Sequence, residues 1–380
     1  MDFKLTEEQQ MLQDTAARLV RDTYSFEQRE TFLRSPLGFS ADAWQQLGAL
    51  GLTAAPFAEA YGGFAGSGVD ILLIAKELGR GLCLEPFLHS VVFGGGLLAQ
   101  LGSAAQREAL LPRVADASLQ LAVALEEPQS HYQLHDLRTR AQKVDGGWRL
   151  NGHKAAVFGG HSAGLILVSA RTGGAERDAA GVSLFLLDPQ STGVRRREYP
   201  TTDGRKACDL YLEDVFVANT TLLGGEGKVL PALYYQQGRA IAAQCGEALG
   251  SMEAACQLTL DYLKVRQQFG QPIGKFQALQ HRMVDMRIEL EQATSMALLA
   301  ACVADEADSD DRSRTLAAAK YIISRAGRFI ADQGIQLHGG IGLTWEYAFS
   351  HHAKHLLMIA RQFGDDDYHL QAYSTLMQDA

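Results

Sequence analysis

Residues 266–297, RQQFGQPIGKFQALQHRMVDMRIELEQATSMA, carry the pattern that decides the fold. Phe276, Leu279, Met283, Met286, Leu290, Ala293 and Ala297 alternate spacings of three and four, which draws one apolar seam along a helix. A seam of that kind packs on other helices. The same period fills 229–265 before it and 317–335 after it, so the chain beyond Gly227 reads as an antiparallel helical bundle with short connections. The segment from Arg266 to Gln277 links two of these helices, and Gln336-Leu337-His338-Gly339-Gly340-Ile341-Gly342 ends another. An Arg fork suits a pyrophosphate, and paired glycines let backbone N–H groups approach an anion; both segments also read as plain caps and turns.

Working back toward the N-terminus, the period changes twice. From about 119 to 225 it is that of strands: Trp148-Arg149-Leu150-Asn151-Gly152-His153-Lys154 carries a turn signal, and Leu165-Ile166-Leu167-Val168 and Val182-Ser183-Leu184-Phe185-Leu186-Leu187 are short apolar runs. No helical pattern separates them, which predicts an antiparallel β domain rather than βαβ units. From about 5 to 112 the chain is helical again. It opens on a capping-box pattern at Thr6-Glu7-Glu8-Gln9, is interrupted by the glycine-rich loop at 60–68, and reaches a helix breaker at Pro112. The expected class is therefore α+β, mainly helical, with domains at 1–118, 119–227 and 228–380.

Composition narrows the function. A formal charge of −9 over 380 residues argues against nucleic acid or an anionic membrane as partner, since both demand clustered Lys and Arg. Five scattered cysteines without a C-x-x-C pair, no apolar run of bilayer length, and a start at Met1-Asp2-Phe3-Lys4 without a secretory pattern predict a reduced, cytoplasmic protein. Several motifs fail on context. Leu222 stands where a P-loop must open, Gly94-Gly95-Gly96 follows no strand and reads as packing, and no G-x-S-x-G elbow is present. His351 and His355 stand one helical turn apart but lack a third ligand, so Ser350-His351-His352-Ala353-Lys354-His355 reads as a basic, solvated helix face or a phosphate contact, with no metal.

Taken together, R-x-x-F-G-x-P-I-x-x-F-Q at Arg266–Gln277 and Q-x-x-G-G-x-G at Gln336–Gly342 resemble the acyl-CoA dehydrogenase family in order and separation. The likeness extends over nearly the whole chain through Leu5-Thr6-Glu7-Glu8-Gln9, the Tyr61-Gly62-Gly63 loop, Glu126-Glu127-Pro128 and Leu150-Asn151-Gly152-His153-Lys154. It implies an N-terminal helical domain, a β domain and a C-terminal four-helix bundle. It implies FAD held between β domain and bundle, its pyrophosphate and adenosine partly by a neighbouring subunit, with Arg266, Phe269, Gln277, Gln336, Gly339 and Gly340 as cofactor residues. The implied reaction is α,β-dehydrogenation of an acyl-CoA in fatty acid β-oxidation, a carboxylate removing the α proton and electrons passing to an electron-transfer flavoprotein.

The sequence also departs from the family. Phe363 takes the place of the usual C-terminal glutamate, and Ala240, or Gly238 if Arg239 sets the register, takes the alternative place. Asp365 and Glu247 remain as displaced candidates, the plainer readings being a solvated acidic cluster at 365–367 and a helix carboxylate paired to an Arg. The T-E-P-x-x-G-S-D segment becomes Glu126-Glu127-Pro128-Gln129-Ser130-His131-Tyr132-Gln133, and the W-x-T flavin contact becomes Ala156-Val157-Phe158. Within the family this combination resembles the pimeloyl-CoA dehydrogenase small subunit and the weaker-site subunits of bacterial heteromeric dehydrogenases acting on dicarboxylate or steroid side chains. The resemblance thus implies a homo- or hetero-oligomer, such as a tetramer, in which a second acyl-CoA dehydrogenase subunit supplies the base. The alternative is a non-catalytic subunit that completes a partner's flavin site.

Overall fold

Thr6, Ser67 and Ser103 start helices by one device: each side chain accepts the N–H three residues on, and Gln9, Asp70 or Gln106 at that position returns a bond to the cap's own N–H. The computed structural model describes residues 4–378, so Met1, Asp2 and Phe3, on which the expectation of a cytoplasmic start drew, lie outside the described residues. The helices of the first third are α1 (Glu7–Thr23), α2 (Phe26–Leu33), α3 (Ala41–Ala49), α4 (Gly68–Arg80), α5 (Gly96–Leu101) and α6 (Ala104–Ala115), with a π-helix over Phe87–Gly95 before α5. Pro112 lies inside the last turn of α6, which runs on to Ala115. After Gly227 come α7 (Leu230–Val265), α8 (Gln277–Val303), α9 (Asp310–His338), α10 (Ala348–Ile359) and α11 (Asp366–Gln378). Among the described residues no helix is long and apolar enough to cross a membrane.

Contacts divide the chain into two compact units that cut across the changes of period. One holds Met1–Thr31, Ser67–Cys83 and Ile241–Ala380; the other holds Phe32–Gly66 and Leu84–Ala240. In the helical unit the end of the α8 seam is fully inside, with Met286, Leu290, Ala293 and Ala297 at most 2% exposed. Backbones approach closely where α4 meets α7: a side chain on Gly79 would strike the Glu247 carbonyl, and one on Gly250 the Lys76 carbonyl.

The other unit is built on a sheet of eight strands: β1 (Leu121–Ala124), β2 (Arg140–Val144), β3 (Gly147–Phe158), β4 (Leu165–Arg171), β5 (Val182–Leu187), β6 (Val194–Pro200), β7 (Lys206–Ala218) and β8 (Leu222–Leu223). Their order is β6-β7-β3-β2-β4-β5-β8, with β1 beside β4. Most neighbours are antiparallel, as expected from the absence of crossover helices, but β1–β4 and a single β2–β4 pairing are parallel. The reason is connectivity: the β2–β3 hairpin lies between β1 and β4 in sequence, a connection long enough to bring the chain back in the same direction. Trp148 packs edge-on to Phe185 at 5.7 Å in a core with Leu150, Ile166, Val168 and Leu210. Gly95 and Gly96 are packing residues, because a Cβ there would collide with the Phe57 ring or the Gln236 amide.

Candidate cofactor site

Arg266 leaves the end of α7 with its N–H bonded to the Tyr262 carbonyl and enters a two-stranded hairpin, β9 (Gln267–Gln268) and β10 (Gln271–Pro272). The two central residues, Phe269 (φ 53°) and Gly270 (φ 78°), are both left-handed, the geometry of a tight type I′ turn. Glycine takes that backbone freely, whereas a phenylalanine is strained there by roughly 1–2 kcal/mol. Phe269 is also 90% exposed, with only the edge of Phe276 at 6.0 Å between ring centroids. The Arg266 side chain is exposed, and no ion pair or hydrogen bond engages it among the described residues.

The second segment closes α9. Gly339 has a backbone (φ 66°, ψ −143°) that residues with a Cβ avoid, and its N–H caps the helix at the Ile335 carbonyl. A side chain on Gly339 or Gly340 would meet nothing within 4 Å, so both face open space, and Gln336 and Gln277 are exposed. The two segments lie at one end of the helical unit: the Tyr262 ring is 4.7 Å from His338, and Arg282 on α8 donates to Gln333 on α9 at 3.1 Å. A free guanidinium fork and open glycine backbone at one end of a bundle fit a pyrophosphate-bearing group.

The positions at which the family resemblance looked for a base are filled otherwise. Phe363 is 6% exposed and left-handed (φ 57°), and its carbonyl accepts the His369 Nε2 proton at 2.9 Å. Gln362 is tied to Gln244 of α7 at 2.6 Å, so this loop is fastened on both sides of the phenyl ring. Ala240 is wholly buried. Both displaced candidates have partners, and the solvated reading of the acidic cluster needs correcting at Asp365. Asp365 is no solvated acid: it caps α11 through the Tyr368 N–H at 3.0 Å and pairs with Arg361 at 3.0 Å. Asp366 pairs with Arg328 at 3.2 Å. Glu247 faces an imidazole, with His355 Nε2 at 3.3 Å and both side chains buried.

Three family models divide the chain among them: the acyl-CoA dehydrogenase N-terminal domain matches residues 6–118, the middle domain 122–215 and the C-terminal domain 237–374. A variant of the Tcur3481-Tcur3483 steroid ACAD superposes with a TM-score of 0.88 at 30% identity, over 98% of this chain and 98% of that one. The chain belongs to the acyl-CoA dehydrogenase family. Butyryl-CoA dehydrogenase from Megasphaera elsdenii matches over 100% of both chains with a TM-score of 0.91 at 25% identity. The probable acyl-CoA dehydrogenase YngJ of Bacillus subtilis is 29% identical over 91% of this chain and 92% of its own length. The family is one of flavoprotein oxidoreductases of fatty acid β-oxidation.

In this acyl-CoA dehydrogenase chain the middle segment departs from the family pattern in its side chains and has a strained backbone. His131 (φ 43°) and Tyr132 (φ 69°) are consecutive left-handed residues, so two side-chain-bearing residues hold a backbone suited to glycine. Glu127 anchors it: the carboxylate accepts from Lys154 Nζ at 2.8 Å, the N–H groups of Arg138 at 2.8 Å and Thr139 at 3.0 Å, and the Gln129 amide at 2.9 Å. Burial alone would raise this carboxyl, but the Lys154 charge and the hydrogen bonds hold it down at about 2. Phe158, which stands at the resemblance's flavin contact, is stacked on His89 at 4.9 Å and 10°.

Sequence reading put the α10 histidines on the wrong side of the helix. The face of α10 that read as solvated is buried, with His351, His352 and His355 at most 4% exposed. Arg29 donates to His351 Nδ1 at 2.9 Å, the opposite nitrogen meets the Trp345 carbonyl at 2.7 Å, and His352 Nδ1 meets Ser251 Oγ at 2.9 Å. Arg29 lies 322 positions away, so no local pattern shows it. Cys208, Cys245 and Cys256 are pushed up to about 12 by burial, which leaves them as protonated core residues.

Proposed function

We propose that this chain is an FAD-binding subunit of a heteromeric acyl-CoA dehydrogenase, in which a second acyl-CoA dehydrogenase subunit supplies the base for α,β-dehydrogenation. The observation that carries the reading is the unengaged Arg266 fork beside the open Gly339-Gly340 backbone, set against a base position occupied by Phe363. Arg266 would hold the FAD pyrophosphate, with Gln336, Gln277 and the glycine backbone lining it and Phe269 covering it. Bound FAD supplies the hydride acceptor for the β hydrogen. What this chain's own residues contribute is orientation and exclusion of water; Glu247 and Asp365 are committed to His355 and to the α11 cap. A proton acceptor must reach its proton within hydrogen-bond distance, and neither carboxylate is free to do so. Val284 and Ile288 on α8 are 55% and 49% exposed, and with Phe269 they make the apolar surface on which a second subunit would close. The acyl group belongs to the dicarboxylyl or steroid-side-chain class, and electrons leave to an electron-transfer flavoprotein.

A second reading, a non-catalytic subunit that only completes its partner's flavin site, draws on the Phe158–His89 stack. Flavin stoichiometry separates the two. The chain is purified alone and with its partner, its visible spectrum recorded, and acyl-CoAs, including a dicarboxylyl-CoA and a steroid-side-chain thioester, added without oxygen. One FAD per chain, bleached by thioester only in the heteromer, is the expected result. One FAD per pair of chains would mean the second reading, and bleaching by the chain alone would overturn the assignment of the base to the partner.

A further inference from the structure

The sheet-bearing unit contains a cavity of about 450 Å³ that none of the family residues lines. Its walls come from the start of α3, the last turn of α6, the turn at 117–120 and the approach to β4, and the residues that matter are Phe39, Trp44, Leu119, Leu165, Gln120 and Arg113. The volume falls within the range of small-molecule sites, a few hundred to about 1,000 Å³.

Three features make the cavity a built one. Trp44 is fixed by its own indole N–H, which donates to the Ala117 carbonyl at 2.8 Å while Gln45 donates to the same oxygen at 3.2 Å. Ala117 is left-handed (φ 63°), and that turn swings 117–120 along the rim. The opposite wall is tied down where His161 Nε2 meets the Leu37 carbonyl at 2.7 Å, a contact that makes this nitrogen the donor because a carbonyl only accepts. The chemistry of the lining is lopsided. Arg113 is its one charged side chain, it is exposed, and neither a carboxylate nor a hydrogen-bond partner engages it among the described residues. An aromatic and aliphatic floor under one unneutralised guanidinium suits an anion with an apolar body. One planar fork matches the two oxygens of a carboxylate, and its single charge neutralises it.

We infer that this cavity is a second ligand site, separate from the residues assigned to FAD, and that it takes a small carboxylic acid with an aromatic or branched apolar body, the carboxylate on Arg113 and the body against Trp44 and Leu165. Phenylacetate is the probe, added to the full-length protein while Trp44 fluorescence is followed, with Trp44→Phe as the optical control and phenylacetamide as the uncharged analogue. Saturable quenching is expected, at least tenfold weaker for phenylacetamide and for Arg113→Gln, and abolished by Ala41→Phe, which fills the cavity. Arg113 is exposed, so the Gln variant is expected to fold, and circular dichroism checks that it has. No saturable signal, equal affinity for acid and amide, unchanged affinity in Arg113→Gln, or tighter binding of inorganic phosphate would each overturn the assignment.

Discussion

Replacing Lys154 by Met should cost the sheet-bearing unit about 3 kcal/mol. Lys154 and Glu127 have side chains 0% and 2% exposed, and removing one partner of a buried pair typically costs about 3–5 kcal/mol. The lower end applies because Glu127 keeps the Arg138 and Thr139 N–H groups and the Gln129 amide, while the acceptors that lose a donor are the Leu125 carbonyl and Ser169. The carboxylate also sets an acid dependence. Glu127 titrates at about 2 in the fold against an ordinary 4.5, so its contribution is complete above about pH 4.5 and is lost as pH falls toward 2. At 1.36 kcal/mol per unit that window amounts to about 3 kcal/mol for Glu127 with all its partners, of which Lys154 is the first. The assay is urea unfolding followed by Trp148, which sits 2% exposed in the sheet core, in a Trp44→Phe, Trp345→Phe background. With a urea slope of about 2–3 kcal/mol per molar, the midpoint should fall by roughly 1 M. Lys154→Met should also flatten the acid dependence between pH 4.5 and 2, and the Glu127→Leu, Lys154→Met double variant should recover much of the loss. A midpoint shift below about 0.3 M, or single losses that simply add in the double variant, would refute the pair as the anchor of this segment.

Three further outcomes follow from the same contacts. On the proposed assignment Arg266→Gln removes a charge-assisted bond worth about 1.5–3 kcal/mol, so FAD affinity of the assembled protein should fall roughly 10- to 100-fold in a flavin titration with the melting temperature unchanged. Gly250→Ala sets two effects against each other: helix propensity gains about 1 kcal/mol, but the added methyl strikes the Lys76 carbonyl, where overpacking costs about 1–3 kcal/mol or more. Net destabilisation is expected in thermal unfolding, and a rise in melting temperature would show that α4 and α7 separate easily. Burial, followed by the charges of His355, Arg29 and His351, pushes His352 down to about 3, so the unfolded chain binds the extra proton between about pH 6.5 and 3. Stability of the helical unit should therefore decline as pH drops from 6.5, and His352→Asn, which keeps a partner for Ser251, should make that decline shallower in melts from pH 7 to 5.

Much of the architecture is local physics and therefore legible from residues alone. The α8 seam, the capping boxes at Thr6, Ser67 and Ser103 and the short apolar strands are patterns within a few turns of chain, where neighbours in sequence are neighbours in space. The Arg266 hairpin and the Gln336–Gly342 helix end were readable for the same reason, as was the absence of a carboxylate from positions 240 and 363. What those residues touch was not readable. Whether Asp365 and Glu247 are available depends on Arg361, the α11 N–H groups and His355, and whether the α10 histidines are wet or buried depends on an arginine 322 positions away. The exposure of Phe269 and the cavity beneath Arg113 are likewise decided by segments brought together from distant parts of the chain. Secondary structure and motifs are set by short-range sterics and hydrogen bonding, so sequence determined them. Burial and charge pairing are properties of packed neighbours, and only the tertiary structure fixed who those neighbours are.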